Sequence, residues 1–277
     1  MSAETIREWL RQREIRGKTI TSLEEVNSAF PNLSKQVVFN TLSRLKREKI
    51  LYSPYSAFYV TIPSQYVLRG EVPPYYYMDA FMSRQGKRYY FGLLSAGALW
   101  GAAHQRAQND FVIMERPRLS QVGISKRGVK WIYRKEIPCD FLCTKNGEAG
   151  PVVYSNAELT ALDMVQYEQY AGGYSVVATV LGELLESTDF SKAADGLFRH
   201  FNIATIQRLG FIIEKVLGDK NQGEVIYSQW RECFDQPHYV PLSPRRKPEG
   251  ERDERWKIVV NTEMEADFVG TGPGSGL

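Results

Sequence analysis

Between Ser34 and Lys49 the sequence SKQVVFNTLSRLKREK admits one helix with two opposed faces. At 100° per residue Val38, Thr41, Leu42 and Leu45 gather within about 100° of each other, an apolar side that must find a core. Gln36, Asn40, Ser43 and Arg47 gather within about 60° on the opposite side. Amides and an arginine make up that polar stripe, not the Glu/Lys mixture of an indifferent surface. Paired donors and acceptors of this kind match adenine and guanine edges in the DNA major groove. Ser43 is small enough for close approach, and Lys35, Arg44, Lys46 and Lys49 flank the stripe, where they can hold phosphates.

The neighbouring segments fit the same unit. Ile6 and Leu10, with Trp9 beside them, predict a helix from Glu4 to about Ile15, stopped by Gly17. Lys18-Thr19-Ile20 reads as a short extended link. Thr21 or Ser22 caps a second helix through Phe30, with Glu24 and Glu25 where the helix dipole favours acids. Ser34 caps the third. β-Branched and aromatic residues on either side of Ser53-Pro54-Tyr55-Ser56 predict a hairpin. Three helices and a hairpin, in that order, predict a winged helix-turn-helix over residues 1–62, with Tyr55 and Ser56 at the hairpin tip reaching a backbone or minor groove. The expected DNA-contacting set is Ser34, Lys35, Gln36, Asn40, Ser43, Arg44, Lys46, Arg47, Tyr55 and Ser56. Charge supports this placement. Through Arg69 the chain holds eleven basic and six acidic residues, a net of +5, against 24 and 26 in the remainder, a net of −2. The alternative is a solvated basic face.

With 277 residues the chain is expected to hold two domains. A linker rich in Pro and Tyr is expected at 63–78, a larger domain at 79–268 and a flexible Gly-rich tail at 269–277. The three tyrosines at 75–77 read as an interdomain anchor more readily than as a ligand platform. In the larger domain a short helix is expected at 79–84, a strand at 88–91, a helix capped by Ser95, and strands at 110–115, 129–134 and 137–143. Helices follow from Asn156 to Gly172-Gly173 and at 175–186, about 191–201 and 203–217, then a strand at 256–260. The fold class is α+β: the winged helix-turn-helix, then a mixed α/β domain with a mostly helical later half.

Composition bounds the setting. Hydrophobic residues are 43% and charged residues 24%, as in folded globular chains, and no apolar run approaches the ~20 residues of a membrane span. MSAETIREWLRQRE lacks the apolar centre of a secretory signal, and Cys139, Cys143 and Cys233 are expected to be free, buried thiols in a cytoplasmic protein. No cofactor or metal is expected. His104, His200 and His238 share no ligand spacing. LGELLESTDF offers Asp189 without the second acid a nucleotidyltransferase needs, and Lys135-Glu136 to Asp140 has nuclease residue types in the wrong order. Glu263, Glu265 and Asp267 alternate and can face a divalent ion, but read better as a solvated acidic terminus. Arg245, Arg246 and Lys247 are expected to be neutralised within an exposed loop, and Arg208 to pair with a carboxylate. No enzyme is expected.

Four stretches resemble the type IV AbiEi antitoxins, also known as transcriptional regulators of viral defence: YYFGLLSAGALWG at 89–101, YSNAELTALDMV at 154–165, TIQRLGFIIEKV at 205–216 and PLSPRRKPEGERDERWKIVVN at 241–261. None is a catalytic signature. The resemblance implies an antitoxin whose winged helix represses its own operon, on operator DNA expected to carry inverted repeats. It also implies that the C-terminal domain counteracts a nucleotidyltransferase-like toxin, without a stable complex. The alternative is a winged-helix regulator whose second domain senses a small molecule; an enzyme with an attached DNA-binding module is the least favoured.

Overall fold

The computed structural model describes residues 5–102, 108–120, 128–192, 194–233 and 238–264. Two compact units make up the chain. One comprises residues 1–90, 108–137 and 144–153, the other 91–107, 138–143 and 154–277.

The first unit opens with helix α1 (Ile6–Ile15), capped by the Thr5 hydroxyl, which accepts from the Glu8 amide. Strand β1 (Ile20–Ser22) leads into α2 (Leu23–Ala29), where Ser22 and Glu25 form a reciprocal capping box at 3.1 and 2.7 Å. Helix α3 (Lys35–Arg47) begins at the Ser34 cap. Its apolar face closes on the other helices through Ile6, Leu10, Val26, Val38, Leu42, Leu45, Leu51 and Tyr59, with Trp9 and Phe30 packed edge to face beside them. Lys49, at φ 56°, turns the chain out of α3 into strand β2 (Leu51–Tyr55), which pairs antiparallel with β3 (Phe58–Thr61). The sheet order is β1-β3-β2. Ser22 carries two of the hydrogen bonds that start α2, so Ser22→Ala is expected to cost about 1 kcal/mol in a urea melt.

The turn differs from the sequence expectation. Ser53, Pro54 and Tyr55 lie inside β2, and the chain reverses at Ser56-Ala57, with Ala57 at φ 57°. The register shifts between Tyr52 and Tyr55, so Pro54, which has no N–H to give a ladder, sits in that irregularity. Helix α4 (Pro74–Arg84) likewise starts five residues before the expected Asp79. Pro74 occupies its first turn, where a missing N–H costs nothing. The residues read as linker therefore include helix. Tyr76 and Tyr77 are buried, and Tyr77 lies 6.0 Å from Tyr55 and 6.2 Å from Phe58.

Strands β4 (Tyr89–Phe91), β5 (Asp110–Glu115), β6 (Val129–Arg134), β7 (Leu142–Asn146) and β8 (Pro151–Ser155) form a sheet ordered β6-β5-β4-β8-β7. β5 and β6 run parallel from Asp110↔Val129 to Glu115↔Arg134. The expected strand at 137–143 is replaced by a 3₁₀ turn at Cys139–Phe141 and by β7.

In the second unit α5 (Leu93–Leu99) starts after Gly92, so Ser95 lies buried within it instead of capping it. Helix α6 (Ala157–Gln166) is capped by Asn156, and α7 (Glu168–Ala171) ends at Gly172 with φ 98°, as the Gly-Gly pair implied. α8 (Tyr174–Leu184) follows. The expected helix near 191–201 is a 3₁₀ run at Ala194–His200. α9 (Ile203–Phe211), capped by Asn202, continues into a π turn at Ile212–Val216. α10 (Lys220–Cys233) has no counterpart in the sequence expectation. β9 (Val240–Pro241), β10 (Glu251–Asp253) and β11 (Ile258–Val260) complete a sheet ordered β10-β11-β9.

Trp230 and Trp256 are buried with ring centroids 5.7 Å apart, and Arg255 lies 3.9 Å over Tyr227. The Glu214 carboxylate accepts from Arg255 Nε at 2.8 Å and Trp256 Nε1 at 3.0 Å. Burial pushes Glu214 up, but the hydrogen bonds from Lys215 and Arg255 outweigh it and hold the carboxyl below its ordinary value.

Candidate nucleic-acid interface

The polar stripe of α3 faces outward as its periodicity requires. Gln36, Asn40 and Arg47 are exposed and Ser43 is half-buried, while Val38, Leu42 and Leu45 on the other side are buried. Gln36 Nε2 donates to Asn40 Oδ1 at 2.9 Å, one turn along, which aligns the two amides. Each amide keeps further donors and acceptors for an external partner. Lys35, Lys46 and Arg47 are exposed and make no ion pair among the described residues. Arg44 stands 3.8 Å from Glu48, a carboxylate that Arg7 also engages, so it is tied toward α1. Ser34 spends its hydroxyl on the Val37 amide at 3.3 Å. Lys49 donates to the Leu68 carbonyl at 3.2 Å.

At the hairpin, Ser56 is exposed in the turn, but Tyr55 is only 3% exposed. Its ring stacks on Phe81 at 3.8 Å, and burial raises its pKa. The expectation that Tyr55 reaches a nucleic-acid backbone is corrected: β2 continues through it and turns its ring inward. Ser56 and Ala57 form the tip instead. Two residues absent from the expected set join the surface of α3: Phe39, 59% exposed, and Val37, 46% exposed. The same helical periodicity places Phe39 about 40° from Ser43.

The chemistry considered elsewhere resolves into local structure. Hydrogen bonds from Lys192 and Ser191 hold Asp189 down to about 2. Arg208 donates to the Pro241 carbonyl at 3.0 Å and pairs with no carboxylate among the described residues. Arg245 meets Gln169 at 2.6 Å and Glu168 at 3.5 Å, so its partners come from α7 and not from the acids that follow it. The cysteines form no disulfide among the described residues, yet Cys139 and Cys233 are exposed rather than buried. Among the described residues no group of three His, Cys, Asp or Glu side chains can hold a metal. His104, Glu265, Asp267 and the tail 269–277 lie outside the described residues. No described helix is long and apolar enough to cross a membrane.

Residues 90–215 match the family model of the AbiEi antitoxin C-terminal domain. This span of the chain is similar to the AbiEi-like antitoxins. Three of the four resembling stretches overlap this span: 89–101, which carries β4 and α5, 154–165, which carries the end of β8 and most of α6, and 205–216, which carries most of α9 and the π turn. The fourth, 241–261, lies beyond it, and so does α3. The chain also shares its fold with the crystal structure of the RV2827C protein from Mycobacterium tuberculosis. The TM-score is 0.67 at 12% identity, over 91% of this chain and 89% of that one. No curated protein matches it in sequence.

Proposed function

We propose that this AbiEi-like chain is the antitoxin of a type IV, AbiE-like toxin–antitoxin system and the repressor of its own operon. Residues 1–62 are read as a winged helix-turn-helix and α3 as the helix that enters the major groove. The observation that carries the DNA half is the surface of α3: aligned amides and Arg47 on a helix that contains four basic residues and no acid. The antitoxin half rests on the domain matched at 90–215. Repression works by occupancy. Gln36, Asn40 and Arg47 read base edges, Lys35 and Lys46 hold phosphates, and two molecules on an inverted repeat exclude polymerase. The chain acts without catalysis on a nucleotidyltransferase-like toxin and forms no stable complex with it.

Two readouts test the proposal. A reporter behind the protein's own upstream region is repressed by the wild type, and growth is rescued when the neighbouring nucleotidyltransferase-like gene is induced. Asn40→Ala releases the reporter while rescue persists; loss of neither, or absence of rescue by the wild type, contradicts the proposal. Lys46 carries a separable expectation. Lys46→Ala weakens binding to operator and unrelated DNA alike, and flattens the plot of log affinity against log salt by about one unit.

One observation favours a sensing role as the second reading. An open cavity of about 870 Å³ in the second unit is lined by Arg246, Asn261 and Thr262 together with Phe211, Leu242 and Val260. A metabolite that changes operator affinity would support that reading.

A further inference from the structure

Two apolar side chains stand in the exposed surface of α3, with no core to cover them. Phe39 is 59% and Val37 46% exposed. On the helical wheel Phe39 lies about 40° from Ser43 and about 60° from Gln36, at one edge of the polar stripe. Val37 lies about 20° from Arg44, at the other edge. The charged residues within α3 are all basic, Lys35, Arg44, Lys46 and Arg47, beside the neutral Gln36, Asn40 and Ser43. A surface of this kind is complementary to a polyanion, and an apolar group within it calls for a polyanion that itself presents apolar groups. Duplex DNA does so at one place on its major-groove base edges, the C5-methyl of thymine.

We infer that Phe39 is a specificity-determining residue that covers thymine methyl groups beside the base pairs read by Gln36, Asn40 and Arg47. This rests on the DNA-binding reading of α3 and adds a pyrimidine preference to it. The amides and arginine select purine edges through hydrogen bonds, and Phe39 selects what they cannot, a methyl that uracil and cytosine lack. Its exposure removes the ambiguity of a core mutation, because the Phe39 ring is 59% exposed and is not among the side chains packed on the cluster of Val38, Leu42 and Leu45, which Phe39→Ala leaves in place.

The test uses the full chain and two copies of its own upstream region, one amplified with thymidine and one with deoxyuridine triphosphate, beside an unrelated duplex. Wild type is expected to bind the methyl-free copy about fourfold more weakly for each methyl covered. Phe39→Ala is expected to bind both copies equally, at about the wild type's affinity for the methyl-free one, with an unchanged melting temperature. Phe39→Leu is expected to retain part of the preference. A wild type indifferent to the methyl groups overturns the inference, as does a Phe39→Ala variant that stays equally sensitive. So does a variant that changes oligomeric state and leaves DNA binding untouched. Failure of the underlying reading has its own signature: wild type then binds its own region and the unrelated duplex alike, and the inference falls with it.

Discussion

Arg47→Ala is expected to weaken binding to the upstream operator by roughly 1–3 kcal/mol, about five- to 150-fold, and to relax preference at one base position. Arg47 sits in the last turn of α3, exposed and unengaged by any acid among the described residues. Its guanidinium therefore has no ion pair among the described residues to give up before meeting a guanine edge bidentately. Asn40→Ala is expected to cost a similar amount for a different reason. Asn40 accepts from Gln36 through Oδ1 and keeps its own amide donors, so its loss removes one reader and releases the orientation of another. The two losses on operator DNA are then expected to exceed those on unrelated DNA, unlike the uniform effect of Lys46→Ala. Competition binding with both duplexes checks this, and an Asn40→Ala or Arg47→Ala variant of wild-type specificity places the docking face elsewhere.

Gly210→Ala is expected to destabilise the second unit by about 3 kcal/mol or more. A Cβ at Gly210 would lie 2.0 Å from Cζ3 and 2.1 Å from Cη2 of Trp256, far inside van der Waals contact. The ring has little room to retreat. It is fully buried, 5.7 Å from Trp230 and 5.4 Å from Tyr227, and its Nε1 is bonded to Glu214. Behind it, Gln207 donates to the carbonyls of Trp256 and His238, each at 2.9 Å, pinning the backbone on both sides. Against a total stability of roughly 5–15 kcal/mol such a loss is large. A denaturant titration followed by tryptophan emission reads it directly. An unchanged midpoint means that α9 and Trp256 do not approach in this way.

Legibility in the sequence followed from how local the determining physics is. The α3 stripe was readable because one helix period sorts thirteen residues into two chemically distinct faces, and because Ser34, Ser22 and Asn156 are caps whose hydrogen bonds close within three residues. α10 was not. Of its fourteen residues only Gly223, Ile226 and Trp230 are buried, and its packing depends on Gly223 meeting Glu214 from another element. Ser53-Pro54 has the composition of a turn, yet cross-strand pairing carries β2 through it and places the reversal at Ala57. Ser95 has the right chemistry for a cap, but Leu93 already starts the helix two residues earlier. Tyr55 was assigned to the surface for the same reason: only the tertiary stack with Phe81 decides which way its ring turns. Phe39 and Val37 show the converse, apolar residues whose exposure periodicity locates and whose type disguises.

The most direct measurement is the affinity of the full chain for a labelled fragment of its own upstream region, beside an unrelated fragment, across a salt series. Binding that favours the upstream fragment by about a thousandfold or more, and survives excess competitor DNA, is the predicted result. Weak binding of equal strength to both fragments, falling together as salt rises, would contradict it and leave α3 a solvated basic face.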